Sequence, residues 1–170
     1  MLKKSKKVVS LLLAVVICFT LPLSVFAATG PYTFGVDTSK GFIDLTIRGW
    51  QGTAPTSNPV YFTVKLDGKI IKNITVQVGT STMSGAIIGQ TMTLENISIG
   101  YESTVAWSGG NNTSVTFSDF DGQDATGTYK LTFKGLVISN TLGNPIFGTP
   151  DMEAIRGYKG TQIKLIIECY

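Results

Sequence analysis

Histidine is absent from all 170 residues, and this absence limits the chemistry that the chain can perform. Ser-His-Asp and Cys-His catalysis both need an imidazole to carry the proton. Zinc hydrolases and structural zinc sites mostly use histidine or several cysteines as ligands. The sequence has two cysteines and no histidine, so these catalytic and zinc-binding classes are excluded.

Carboxylates remain as candidate catalytic groups, because a pair of Asp or Glu side chains can hydrolyse a glycosidic bond. The candidates are Asp44, Glu95, Glu102 and Asp151. Nothing in their spacing selects a pair, and no motif supports Ser-Lys nucleophilic chemistry. A small carboxylate-dependent hydrolase is therefore an alternative function, and the chain is predicted not to be an enzyme.

Three aspartates crowd the turn around Gly122, namely Asp119, Asp121 and Asp124. Oxygen-rich loops bind calcium, and extracellular calcium is plentiful enough to fill weak sites. An EF-hand loop requires glycine at its sixth position, whereas Gly122 stands at the fourth. The turn is interpreted as a solvated polar loop without a cofactor, and a calcium site is the alternative.

Aromatic side chains offer the other candidate site, because flat aromatic surfaces bind sugars by stacking. Trp50, Tyr101 and Trp107 are the candidates for ligand binding. Trp107 shares its phase with Val105, which favours a place in the core. Trp50 has the phase of the polar residues on the strand before it, so it should face solvent.

An exposed tryptophan carries a free-energy cost, so Trp50 needs either a role or a cover from another segment. A tryptophan at a strand end more often covers the edge of the core than binds a ligand. The favoured interpretation is a core-edge residue covered by the loop 53–59, and a ligand platform is the alternative.

The first 27 residues have the pattern of a secretory signal peptide. Four lysines lie within the first seven positions, an apolar run extends from Val8 to about Phe19, and Pro22 ends it. The run is shorter than the roughly 20 apolar residues that span a bilayer. The lysine-rich start resembles in style the signal peptides of Gram-positive bacteria.

We expect a mature domain at 28–170 that is secreted, either extracellular or at the cell surface, with no membrane span after cleavage. The full chain has 14 Lys and Arg against 11 Asp and Glu. Without the four signal lysines the balance is ten against eleven, a net charge of −1. No basic field remains to attract nucleic acid or anionic lipid.

The mature chain has one cysteine, Cys169, so it cannot form an internal disulfide. A lone cysteine near the C-terminus can pair with a second chain. A free thiol at the end of the last strand is the favoured interpretation, and a disulfide-linked dimer is the alternative.

Apolar and polar residues alternate in many short segments, which is typical of strands with one buried face. In the first of these, Ile43, Leu45 and Ile47 are predicted to face inward. About nine strands are predicted, near 32–36, 41–49, 59–66, 69–78, 91–95, 101–107, 113–118, 128–138 and 161–168.

Helix signals are confined to 150–156, where Pro150 suits a first helical turn and Gly157 a stop. The chain is therefore predicted to be an all-β, single-domain antiparallel sandwich, immunoglobulin-like or jelly-roll-like, with one short helix near 150–156.

The dipeptide at 67–68, Asp-Gly, predicts a turn that joins two antiparallel strands as a hairpin. With a two-residue turn, apolar residues of one strand would pair with polar residues of the other strand. A three-residue loop with Gly68 in the left-handed region pairs Val64 with Ile70 and keeps the apolar faces together. The burial pattern therefore favours the bulged three-residue loop.

These features favour a secreted, non-enzymatic binding module, associated with a surface or matrix, whose partner is a surface polymer, a glycan or another protein. A β-rich toxin or membrane-active protein is an alternative, and its only candidate segment is the Gly- and Ser-rich stretch 80–90. The hydrolase is the other alternative, and the missing histidine counts against it.

The signal-peptide assignment predicts cleavage after Ala27, because small residues precede this bond. Mass spectrometry of the protein recovered from the culture medium should find an N-terminus at Ala28, within about two residues. Recovery of membrane-bound protein with an intact Met1 would contradict the assignment.

Overall fold

The computed structural model describes residues 29–139 and 154–170. The predicted signal peptide and its cleavage site lie outside these residues. The described chain forms eleven strands and three short 3-10 turns. The strands are β1 (Thr29–Gly35), β2 (Leu45–Gly49), β3 (Val60–Val64), β4 (Ile71–Gln77), β5 (Ser81–Ser84), β6 (Ala86–Asn96), β7 (Tyr101–Trp107), β8 (Ser114–Phe117), β9 (Gly127–Ser139), β10 (Ala154–Tyr158) and β11 (Lys164–Cys169).

The described strands pair antiparallel in three sheets. The two four-stranded sheets have the orders β1-β11-β4-β8 and β3-β9-β6-β7, and the third sheet has the order β2-β10-β5. Contacts of β1 with β3 and of β7 with β8 bring the four-stranded sheets face to face over one apolar core. The third sheet lies at the end where β6 begins and β9 ends. The prediction of an all-β antiparallel sandwich is confirmed.

Period-two alternation determines which face each strand buries. Val60 and Phe62 on β3 are fully buried, and they pair with the buried Leu131 and Tyr129 on β9. Paired residues of neighbouring strands project to the same side of a sheet, so both pairs enter the core. Each such side chain contributes about 1.5–3 kcal/mol by leaving water. The predicted inward faces of these strands are confirmed.

Two of the eleven strands, β5 and β10, were not predicted. The residues 154–156 are extended in β10, so that part of the predicted helix is wrong, while 150–153 lie outside the described residues. Hydrogen bonding to β2 on one side and β5 on the other holds this segment extended. The stretch 80–90 forms β5 and the start of β6. Ile43 is exposed, because β2 begins only at Leu45.

The predicted hairpin is also wrong, although the turn itself exists with Gly68 at a φ of 71°. The strands on either side of this turn belong to opposite sheets. Val64 pairs with Gly127 on β9, whereas Ile70 forms a bridge to Asp124. The turn residues determine the local reversal, but strand pairing depends on partners that are distant in sequence.

Cys169 ends β11 as a free and fully buried thiol. It lies between Thr29 on β1 and Ile71 on β4. Burial raises the pKa of the thiol above its usual value. A disulfide with a second chain would therefore require β11 to open, so burial favours the free-thiol interpretation.

We expect Cys169→Ser to lower the free energy of unfolding by about 1–3 kcal/mol, because it places a hydroxyl in an apolar site. Cys169→Ala should cost less, since it leaves only a small cavity. Urea unfolding under reducing conditions measures both. A serine variant as stable as the parent would show that water reaches this position in the folded protein.

Candidate functional site

Trp50 follows β2 directly and is 52% exposed. Its carbonyl oxygen accepts hydrogen bonds from the amide of Thr53 (3.0 Å) and from the Thr53 hydroxyl (2.6 Å). Gly49 permits this tight path, because a Cβ at that position would lie 2.6 Å from Cγ of Pro55. The turn that carries the indole is therefore held by hydrogen bonds between Thr53 and the Trp50 carbonyl.

The segment after the turn runs beside the end of β9. The amide of Gly52 donates to the carbonyl of Val137 (2.8 Å), and the Val137 amide donates to the Thr53 carbonyl (2.9 Å). Further along, the Ser57 amide donates to the Phe133 carbonyl (2.8 Å). The loop 53–59 thus continues the sheet beside β9, and the indole stays about half exposed. The predicted outward phase of Trp50 agrees with this exposure, and the predicted cover by the loop 53–59 stays a prediction.

Apolar side chains surround the place where the turn meets β9. Leu136 and Ile138, which flank Val137, are 39% and 43% exposed, and Ile88 pairs with Leu136 across the sheet. Farther along the outer face, Lys134 pairs with Thr91. This arrangement offers apolar contact beside hydrogen-bonding groups.

Trp107 lies in the core and is only 5% exposed. Its ring meets Phe133 edge to face at 5.5 Å and lies 5.3 Å from Tyr158. Its indole N–H donates to the hydroxyl of Thr113 (3.1 Å). The core interpretation of Trp107 is confirmed. A ring this buried presents no open face for a sugar to stack on, which does not favour its weaker assignment as a ligand-binding residue.

Tyr101 begins β7, at the other end of the strand from Trp107. Its ring packs edge to face on Phe120 at 5.1 Å, and its hydroxyl donates to the Asp119 carbonyl (2.9 Å). Six residues of strand separate it from Trp107 by roughly 20 Å. The three aromatic candidates therefore do not share one surface.

The three aspartates of the 119–124 turn each have a different partner. Asp119 accepts from the Ser103 hydroxyl (2.8 Å), and Asp121 accepts from the Tyr170 hydroxyl (3.0 Å). Asp124 accepts from the amide of Thr126 (2.8 Å). Within residues 29–139 and 154–170, no three acidic, cysteine or histidine side chains gather into a metal-holding group.

Two candidate catalytic carboxylates meet on the outer face of the sandwich. Glu95 on β6 pairs with Glu102 on β7, and Glu95 accepts a hydrogen bond from Lys130 at 2.8 Å. This hydrogen bond raises the pKa of Lys130, so the ammonium stays charged beside the carboxylates. Asp44 lies elsewhere and accepts from the amide of Gly160 (3.0 Å), and Asp151 is outside the described residues.

Sequence reasoning missed a second polar group, which lies under the third sheet. Arg156 on β10 is 9% exposed and Gln90 on β6 is 4% exposed. A bulge around Gly89, with a φ of 56°, turns Gln90 inward. The pattern at 149–157 indicated a helix, so nothing in it marked Arg156 as a buried strand residue.

Within the described part of the chain, no helix is long and apolar enough to cross a membrane. No protein-family model matches the chain. No curated protein matches it either. Among solved structures, it is similar to a low affinity xylan binding module, CBM86, from the gut symbiont Roseburia intestinalis, with 9% identity over 85% of this chain and 96% of that chain and a TM-score of 0.32. A likeness this distant carries no argument about ligand or site.

The different burial of the two tryptophans predicts different costs of truncation. Trp107→Ala should lower the free energy of unfolding by about 3–5 kcal/mol, as large-to-small core substitutions do. Trp50→Ala should change it by less than about 1 kcal/mol, because the indole is half exposed. Urea unfolding followed by circular dichroism measures both. If Trp50→Ala lowered the free energy of unfolding by several kcal/mol, Trp50 would be a core-edge residue, which is the interpretation that the sequence favours.

Proposed function

We propose that this protein is a non-enzymatic binding module that holds an extracellular glycan by stacking a sugar ring on Trp50. The observation that carries the proposal is a half-exposed indole on a turn fixed by hydrogen bonds. Flat aromatic faces pack against the apolar C–H face of a sugar, and the indole N–H adds a polar contact.

The exposure of Trp50 costs free energy that the fold does not recover. Apolar surface left in water costs about 25 cal/mol per Å² relative to burial. A ligand that covers the ring would offset this cost. Because the turn is already fixed, binding orders few groups and loses little conformational entropy.

The neighbours of Trp50 support a ligand of mixed character. Leu136 and Ile138 offer apolar contact on β9. Lys134, farther along the same strand, forms a bridge to Thr56 of the loop 53–59. A sugar chain presents C–H faces and hydroxyl groups together, so it can use both kinds of contact. A purely apolar partner would leave the polar part of this surface without partners.

The described carboxylates give the hydrolase alternative little support. Glu95 and Glu102 lie on a solvent-facing sheet surface, and Lys130 is paired with one of them. A glycosidase needs one carboxyl held protonated as the general acid, which requires an apolar setting. The missing histidine removes the commonest alternative proton carrier.

Co-sedimentation with insoluble xylan, cellulose, chitin and peptidoglycan tests the proposal. We expect the folded protein to sediment with at least one polymer, and Trp50→Ala to weaken that binding roughly tenfold or more. Trp50→Tyr should retain part of the affinity, because it keeps an aromatic face. Phe42→Ala is the matched control, since Phe42 is 55% exposed at the opposite end of β2.

Fluorescence gives a second readout, because the chain has only two tryptophans and Trp107 is buried. A bound sugar should protect the emission of Trp50 from iodide quenching. Equal binding by the parent and Trp50→Ala would overturn the role of Trp50. Binding to none of the four polymers would overturn the glycan proposal and favour a protein partner.

A further inference from the structure

Arg156 places a guanidinium at the edge of the core. On β10 it pairs with Ile47 on one side and Met83 on the other, and Ile47 is fully buried on this face. Among the described residues, no carboxylate forms an ion pair with Arg156. A buried charge without a counter-charge is costly, and the usual remedy is an anionic partner.

The unmatched donors of Arg156 lie on one edge of the guanidinium. Its Nε is buried and has no hydrogen-bond partner among the described residues. Its Nη2 lies 2.6 Å from Sδ of Met83, and a thioether is a weak acceptor. Nε and Nη2 form the fork that binds a carboxylate through two parallel hydrogen bonds. This fork therefore has no strong acceptor in the described structure.

Gln90 adds an unmatched acceptor near the Nη1 end of the same guanidinium. Its Nε2 donates to the Ile87 carbonyl (3.2 Å), but its Oε1 is buried and has no partner among the described residues. Gly109 leaves room for both side chains, because a Cβ there would clash with Nη1 of Arg156 and with the Gln90 amide. The Gln90 amide therefore lies near Nη1, the guanidinium nitrogen that is not part of the Nε–Nη2 edge. An acceptor at this point suits a hydroxyl donor and would repel a second carboxylate.

We propose that the Nε–Nη2 edge of Arg156 binds the carboxylate of a ligand, and that Oε1 of Gln90 accepts a hydrogen bond from a neighbouring hydroxyl. A cyclic uronic acid presents both groups, because its carboxylate is attached to C5 of the sugar ring and its nearest hydroxyl is on C4. Met83 is the displaceable cover, because it is 46% exposed on the edge strand β5 and its thioether chain is flexible. The site is separate from Trp50.

Titration of the arginine side chains followed by NMR tests this site directly. The chain has two arginines, so Arg48 provides an internal reference for the Nε–H resonance of Arg156. At constant ionic strength, sodium glucuronate should shift the Arg156 resonance saturably. Sodium acetate should bind more weakly, and glucose should produce no shift. The Arg48 resonance should remain in place throughout.

Three variants sharpen the test. Arg156→Lys keeps the charge and loses the fork, so glucuronate affinity should fall roughly 10- to 100-fold. Lys159→Gln is the matched control, because it removes an exposed charge beside β10 and should bind as the parent does. Met83→Ala removes the cover and should tighten binding roughly two- to tenfold. If Arg156→Lys does not fold, the parent titration and Met83→Ala decide.

Three results would overturn the site. The first is an Arg156 resonance that glucuronate does not move. The second is an Arg156 resonance that shifts equally with glucuronate, acetate and chloride, which would indicate nonspecific screening of the arginine charge by anions. The third is a ligand-free Arg156 resonance that Asp151→Asn or Glu153→Gln displaces, which would show that the chain supplies its own carboxylate. The glucuronate response should persist in Trp50→Ala, so failure here is distinguishable from failure of the Trp50 proposal.

Discussion

The contact among Trp107, Phe133 and Tyr158 joins the third sheet to the sandwich. These rings come from β7, β9 and β10, and their centroids lie 5.3–6.0 Å apart. Such aromatic pairs contribute about 0.5–1.5 kcal/mol each beyond the area that they bury. The Tyr158 hydroxyl also donates to the carbonyl of Gly110 (3.0 Å), and burial raises the pKa of Tyr158, so this donor stays protonated.

Both candidate sites lie next to this aromatic contact. Phe133 exchanges backbone and hydroxyl hydrogen bonds with Ser57, which anchors the loop that carries Trp50. Arg156 lies two residues before Tyr158 on the same face of β10, and Gln90 pairs with Trp107. The rings that stabilise the end of the sandwich therefore also place an exposed indole and a buried guanidinium.

Alternation along the chain was enough to predict the all-β class and most buried faces, because Val60, Phe62 and Leu131 obey a local rule. Strand pairing was not predictable in the same way. The turn at Gly68 reverses the chain, yet its flanking strands enter opposite sheets. The alternation also placed Trp50 outward, in agreement with its exposure. The path of the loop 53–59 could not be predicted, because it depends on long-range hydrogen bonds to β9.

Trp50 and Arg156 both depart from the pattern of polar outside and apolar inside, and both belong to the third sheet and the turn that follows it. An apolar residue at 156 and a polar residue at 50 would be expected to stabilise the fold, since buried ion sites replaced by apolar ones are often neutral or stabilising. Stability alone gives no reason for either residue. Positions where the residue type conflicts with its burial tend to belong to functional sites. A ligand that covers the indole and one that pairs the guanidinium would each offset the cost that the fold leaves.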